Sequence, residues 1–217
     1  MSAPTDRPSG APAERPVDVA ADRPGGAAAD RPLGAQDARP RPRGRPPYNV
    51  VLVGLSGSGK STVARLLARR LGWRYVDTDR EIQQRAGLTV QQIFAERGEA
   101  EFRALEALVV REVCAASRQV IATGGGAVVN ERNRDEMLDG NLVVFLESSP
   151  EVLARRLAES VRREPRPLLA NADLAARLTD LSRQREHHYR CAHHVVRTDH
   201  RTPREVADVI ADLVHRR

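Results

Sequence analysis

Gly54-Leu-Ser-Gly-Ser-Gly-Lys-Ser61 decides how this chain is read. The eight residues fit G-x-x-x-x-G-K-S, a phosphate-binding loop (P-loop). Its glycines let backbone N–H groups curl around the α- and β-phosphates. Its lysine reaches the β/γ oxygens, and its serine hydroxyl sits on Mg²⁺. The flanks supply the context that the motif needs. Asn49-Val-Val-Leu-Val-Gly54 reads as a buried strand, and Ser61 to Leu71 as an amphipathic helix whose N-terminus favours anions.

The composition sharpens this reading. Of 35 lysines and arginines, Lys60 is the sole lysine. A bias towards arginine leaves lysine where a compact ammonium must slide between phosphate oxygens, a place a planar guanidinium does not fit. The formal charge of +6 suggests nucleic acid, but aromatic residues make up only 3% of the chain, so stacking platforms are scarce. A cleft for a triphosphate and an acidic ligand accounts for the arginines equally well.

The chain divides in two. Ten of the 14 prolines precede Tyr48, within an eight-residue repeat marked by Arg7-Pro8, Arg15-Pro16, Arg23-Pro24, Arg31-Pro32 and Arg39-Pro40. Residues 1–47 hold too few large apolar side chains to offset their conformational entropy, so a disordered, partly polyproline-like tail is expected. It reads either as a tethering arm or as an extension without a role. Residues 48–217 suit one domain. No apolar run spans a membrane and no secretory leader is expected. Cys114 and Cys191 suggest neither a disulfide framework nor a metal site, so a reduced, cytoplasmic protein follows.

Within the domain, strands alternate with helices. Strands are expected at 73–77, 119–123, 141–146 and 195–196. Helices are expected over 80–116 with a break at Gly98, from Asn130 to Leu138, from Pro150, over 172–189, and from Pro203. An arginine-rich loop is expected from Ser160. Such alternation predicts an α/β fold with a parallel sheet and ligands at the carboxyl ends of the strands. The P-loop, Asp77-Thr78-Asp79 and Gly124-Gly125-Gly126 all fall at such ends.

Each cluster has a chemical reading and a plain one. By strand alternation Asp77 and Asp79 share a face, one suited to a hydrated Mg²⁺ and the other to taking a proton from a hydroxyl. The plain reading is that they cap the next helix. Glu106 can hold Arg103, one helical turn away, for a carboxylate ligand; the alternative is a solvated pair. Gly124, Gly125 and Gly126 allow close approach of a ligand to backbone, or make a loose turn. Arg162, Arg163 and Arg166 suit a closing lid, or a solvated basic loop.

Taken together these residues resemble the shikimate kinase family. GLSGSGKST, YVDTD, IFAERGEAEFRALE, ATGGGAV, RPLL, R-x-x-x-Y from Arg185 to Tyr189, and Arg201-Thr-Pro203 stand in that family's order across residues 48–217. The resemblance implies a three-layer P-loop kinase fold with a five-stranded parallel sheet of order 2-3-1-4-5. It also implies a helical substrate-binding region at about 80–111 and a lid at about 160–171. The implied activity is phosphorylation of the 3-hydroxyl of shikimate by ATP, with one Mg²⁺ per subunit, in a monomer without nucleic-acid or membrane partners.

The implied roles follow the motifs. Gly57, Ser58, Gly59, Lys60 and Thr62 hold phosphates, Ser61 binds Mg²⁺, and Asp77 supports the metal through water. Asp79 is the base that meets the shikimate hydroxyl. Arg103 and Arg185 grip its carboxylate, with Glu106 orienting Arg103, and Gly124 to Gly126 contact the ring. Arg166 is the lid arginine on the phosphates. Arg201 and Pro203 line the adenine site, with Arg155 or Arg156 stacked on the base. Ser56-Gly57-Ser58 also looks like gluconate kinases, so another small-metabolite kinase is the nearer alternative; a nucleotide switch without transfer is the other.

Overall fold

The computed structural model describes residues 48–163 and 174–216. The expected tail at 1–47, Arg166 and most of the expected lid lie outside them. The chain runs β1 (Val50–Val53), α1 (Lys60–Leu71), β2 (Arg74–Asp77), α2 (Thr78–Ala86), α3 (Val90–Glu96), α4 (Gly98–Ala115) and β3 (Gln119–Ala122). A 3-10 turn (Ala127–Val129) then leads to α5 (Glu131–Leu138), β4 (Leu142–Glu147), α6 (Pro150–Arg163), α7 (Leu174–Tyr189), β5 (His194–Arg197) and α8 (Pro203–His215).

The five strands form one parallel sheet in the order β2-β3-β1-β4-β5. This is the order that the family resemblance implies. β1 is central because both its faces are apolar: Val51 and Val53 enter one core, Val50 and Leu52 the other. A strand covered on both sides needs such a run without alternation. The first core includes Ile82 of α2, Phe102 and Val109 of α4, and Leu153 of α6. The second is closed by Val63 and Leu67 of α1 with Val206 and Ile210 of α8. Hence the chain has three layers, with the strands' carboxyl ends facing one rim.

Local signals set the element ends. Thr89 caps α3 in a capping box with Gln92, and Thr202 caps α8 with Glu205 while Pro203 starts the helix. Asn130 caps α5 through Arg132 N–H. Asn49 ties the opposite rim together: its amide Nδ2 donates to Cys114 O and Ala116 O, and its Oδ1 accepts from Gln119 N–H.

The expected loop from Ser160 starts later, because α6 remains helical through Arg163. Ser160-Val-Arg-Arg163 has no glycine or proline to stop a helix, and Pro165 is the first such residue after it.

Candidate active site

Gly54 turns the chain out of β1 with φ at 145°, and a Cβ there would lie 2.7 Å from Leu146 O of β4. Only glycine lets the loop leave so close to the neighbouring strand. The loop then folds back so that Gly59 precedes α1, whose first turn has no acidic residue and no side-chain cap. Its amides and positive dipole end are therefore left for an anion. Gly57 lies against α6; a Cβ there would sit 2.9 Å from Leu157 Cγ. Ser58 is buried, and its hydroxyl has no hydrogen-bond partner among the described residues.

Lys60 opens α1 and is itself buried. Its Nζ donates to Gly54 O at 2.7 Å and Leu55 O at 2.8 Å. Burial lowers its pKa to about 8, against the pull of the Asp79 and Asp77 carboxylates. The ammonium is thus held by the loop carbonyls in a setting that disfavours its charge, so a nearby anion would be favoured there. Ser61 and Thr62 follow on the exposed face of the first turn.

Asp77 and Asp79 reach this rim by a different route from the expected strand alternation. β2 ends at Asp77, which caps α2 by accepting Arg80 N–H, and Asp79 stands in the first helical turn. Asp77's own capping starts the helix and replaces the period of two. Thr78 points into the protein, where its hydroxyl accepts Gly124 N–H at 3.0 Å. Asp77 is both a cap and a site residue, since its Oδ2 accepts from Ser61 Oγ at 2.8 Å and from Tyr75 OH at 3.0 Å. Asp79 has its pKa raised, first by burial and then by Asp77; Lys60 and Arg103 oppose the shift.

The glycine turn after β3 is the floor on which the charged groups meet. A Cβ on Gly124 would lie 2.8 Å from Asp79 Oδ1 and 3.1 Å from Glu106 Oε1. One on Gly126 would lie 2.9 Å from Arg103 Nη1, and one on Gly125 would press on Ser56 of the P-loop. The turn is therefore not loose; four side groups occupy the space that side chains here would need. Gly124 N–H is already given to Thr78, so close approach, not a free amide, is what this glycine provides.

Arg103 Nη1 donates to Glu106 Oε2 at 2.8 Å, and Nε and Nη2 reach Glu99 Oε1. Burial raises the Glu106 pKa, with the Arg103 guanidinium pulling it back. From the other side, α7 brings Arg185 and Tyr189, which both donate to Gly125 O, at 3.1 and 2.7 Å. Tyr189 also stacks on Phe145 of β4, ring centroids 4.6 Å apart. Sequence reasoning gave no role to Thr78, Tyr75 or Tyr189 beyond their place in motifs, because each acts through a contact that spacing does not reveal.

A cavity of about 630 Å³ opens at the ends of β4 and β5, lined in part by Leu55, Ser58, Glu147, Tyr189, Asp199 and Arg201. Asp79, Arg103 and the glycine turn are not among its lining residues. Beside it, Arg156 donates to Thr198 Oγ1 at 2.9 Å and Thr198 O at 2.7 Å, while Arg155 is exposed. Asp199 accepts Ser149 N–H at the start of α6. The loop before α8 is thereby fastened to the start of α6. Pro203 lies just beyond it, at the first position of α8.

The site thus joins a phosphate-binding helix start, a raised-pKa carboxylate and two arginines around one glycine turn. A family model described as shikimate kinase matches residues 56–215. The shikimate kinase of Symbiobacterium thermophilum is 46% identical over 169 residues, covering 77% of this chain and 95% of that protein. That of Pseudomonas aeruginosa is 42% identical over 169 residues, covering 77% and 96%. Among solved structures, shikimate kinase from Acinetobacter baumannii in complex with shikimate superposes with a TM-score of 0.71 at 36% identity, covering 78% of this chain and 93% of that one. With the P-loop, the sheet order and the glycine turn all in hand, the match over most of its length means that this chain belongs to the shikimate kinase family.

Proposed function

We infer that the chain transfers the γ-phosphoryl group of ATP to the 3-hydroxyl of shikimate, giving ADP and shikimate 3-phosphate on the way to chorismate and the aromatic amino acids. The observation that carries this reading is the convergence of Asp79, Arg103 and Glu106 on Gly124 and Gly126. A rigid ring bearing hydroxyls and a carboxylate suits that arrangement, with the hydroxyl at Asp79 and the carboxylate between Arg103 and Arg185. Glu106 fixes the Arg103 rotamer, so less side-chain entropy is lost on binding.

The 3-hydroxyl oxygen attacks the γ-phosphorus, the bond to the β–γ bridging oxygen breaks, and the hydroxyl proton passes to Asp79. Its raised pKa suits a base that must accept a proton yet remain ionised near neutrality. Lys60 stays with the phosphates throughout, supported by the loop glycines Gly57 and Gly59, Ser58 and Thr62, with Arg166 adding charge from the lid. Positioning and charge do most of the work in such transfers. Ser61 and Asp77 are oxygen donors 2.8 Å apart at the start of α1, a set that fits a hydrated Mg²⁺. When bound, the ion neutralises phosphate charge; Ser61 would hold it directly and Asp77 through water.

For the base, Arg201 and Pro203 are proposed on one side and Arg156 on the other. Arg156 is preferred over Arg155 because Thr198 holds it beside the cavity. We take about 80–111 as the substrate-binding region and about 160–171 as the lid. The protein is proposed to be a cytoplasmic monomer; among the described residues no helix is long and apolar enough to cross a membrane. A coupled ADP-release assay with shikimate and gluconate side by side tests the reading. Turnover with shikimate alone is expected. Preference for gluconate, or ATP binding without turnover of either, would overturn it.

A further inference from the structure

The two oxygens of Asp77 are held unequally. Oδ2 accepts two hydrogen bonds, from Ser61 Oγ and from Tyr75 OH, whereas Oδ1 has only the long 3.4 Å contact from Arg80 N–H among the hydrogen bonds described. Tyr75 lies two residues before Asp77 on β2, so the pleat puts both side chains on one face of the strand. Its ring is also held by packing. It packs on the core under α1 and α8, and the Arg65 guanidinium stands 5.4 Å from its centroid. A phenol on such a ring is a donor aimed by the sheet.

We propose that Tyr75 is a positioning residue for the divalent cation, its hydroxyl holding Asp77 so that one carboxylate oxygen stays turned towards a hydrated ion at Ser61. The proposal rests on the metal reading of Ser61 and Asp77 given above. Ser61 lies on an exposed helix turn, so a carboxylate held by Ser61 alone moves whenever the P-loop adjusts to a nucleotide. Tyr75 gives Asp77 a second anchor, on β2 of the sheet. With Oδ2 tied to Ser61 and Tyr75 and Oδ1 capping α2, the whole carboxylate is held beside Ser61, within reach of a metal-bound water. Groups that orient the ligands of a metal commonly alter its affinity by about 10–100-fold. Asp77 acts through water, so the lower end of that range applies.

Tyr75→Phe removes one oxygen and leaves the packed ring. The test uses the full chain, Tyr75→Phe and Asp77→Asn, with Mn²⁺ as the probe. Electron paramagnetic resonance measures Mn²⁺ bound to the protein–ADP complex. ADP affinity without metal and the thermal midpoint are measured alongside. Tyr75→Phe is expected to weaken Mn²⁺ binding about tenfold while leaving metal-free ADP affinity and the midpoint nearly unchanged. Asp77→Asn is expected to weaken it at least as much. Unchanged Mn²⁺ binding in Tyr75→Phe with a loss in Asp77→Asn would overturn this inference and leave the metal reading standing. No loss in Asp77→Asn would overturn the metal reading itself. A parallel fall of metal binding, ADP affinity and midpoint in Tyr75→Phe would mark the tyrosine as structural and overturn its positioning role.

Discussion

Arg103 Nη1 lies 2.8 Å from Oε2 of Glu106, a carboxylate only 1% exposed, on the next turn of the same helix. An i, i+3 pair on a helix surface contributes little. Here one partner is buried against Gly124, and the guanidinium is pressed onto Gly126. The pair therefore orients a fork towards the glycine turn.

Arg103→Ala is expected to weaken shikimate binding by about 2–5 kcal/mol, because it leaves a substrate carboxylate half-paired and Glu106 buried without its partner. ATP affinity measured without shikimate should stay near that of the parent. Calorimetry of each ligand separately checks this, and equal losses for both would point to damage of α4.

Asp79→Asn keeps the shape and removes the proposed base. A fall in kcat of roughly 10²–10⁴-fold is expected. In the parent, the acid limb of the kcat/KM profile should lie above the ordinary aspartate range, because burial and Asp77 raise the pKa and the base works only when ionised. Activity is therefore full above that pKa and lost as pH falls through it. A kcat within a few-fold of the parent, with only the shikimate KM raised, would make Asp79 a binding residue.

Lys60 is charged below about pH 8 and increasingly neutral above it in the free protein. ATP affinity should thus be flat up to that pH and decline beyond it, with proton uptake on binding near pH 8 detectable as a buffer-dependent heat. Lys60→Arg should abolish this limb, since a guanidinium stays charged throughout. It should also cripple turnover, because a fork does not replace a point charge within a tight loop. Near-normal turnover in Lys60→Arg would remove the argument from the lone lysine.

Deleting residues 1–47 should leave kcat and both KM values essentially unchanged. β1 begins only at Val50, and the tail's arginines are largely offset by Asp6, Glu14, Asp18, Asp22, Asp30 and Asp37. Steering of ATP by so mixed a segment is weak at about 0.15 M salt. Steady-state kinetics of both forms checks this, and a tenfold change would show that the segment takes part in the reaction.

The sheet was readable because β1, β3 and β4 are continuous apolar runs bounded by turns, and the P-loop fixes which strand comes first. The helix starts at Asn130 and Pro203 were equally local in origin. Asp79 was harder. Alternation along β2 predicted its direction, but Asp77 converts strand to helix one residue earlier. Tyr75 and Tyr189 were legible only as letters in motifs. Their partners, Asp77 Oδ2 and Gly125 O, depend on how strand and helix are brought together. The sequence did not distinguish Arg155 from Arg156, because what sets them apart is the contact of Arg156 with Thr198, 42 residues on.

The floor of the site has no spare room: a side chain there would have to displace the charged groups set against it. One added carbon at Gly124 would collide with Asp79 and Glu106, and one at Gly126 with Arg103. On the proposed reading, a variant that reshaped this surface to exclude an inhibitor shaped like the acceptor would displace the groups that hold the acceptor itself, so resistance there should carry a cost in turnover.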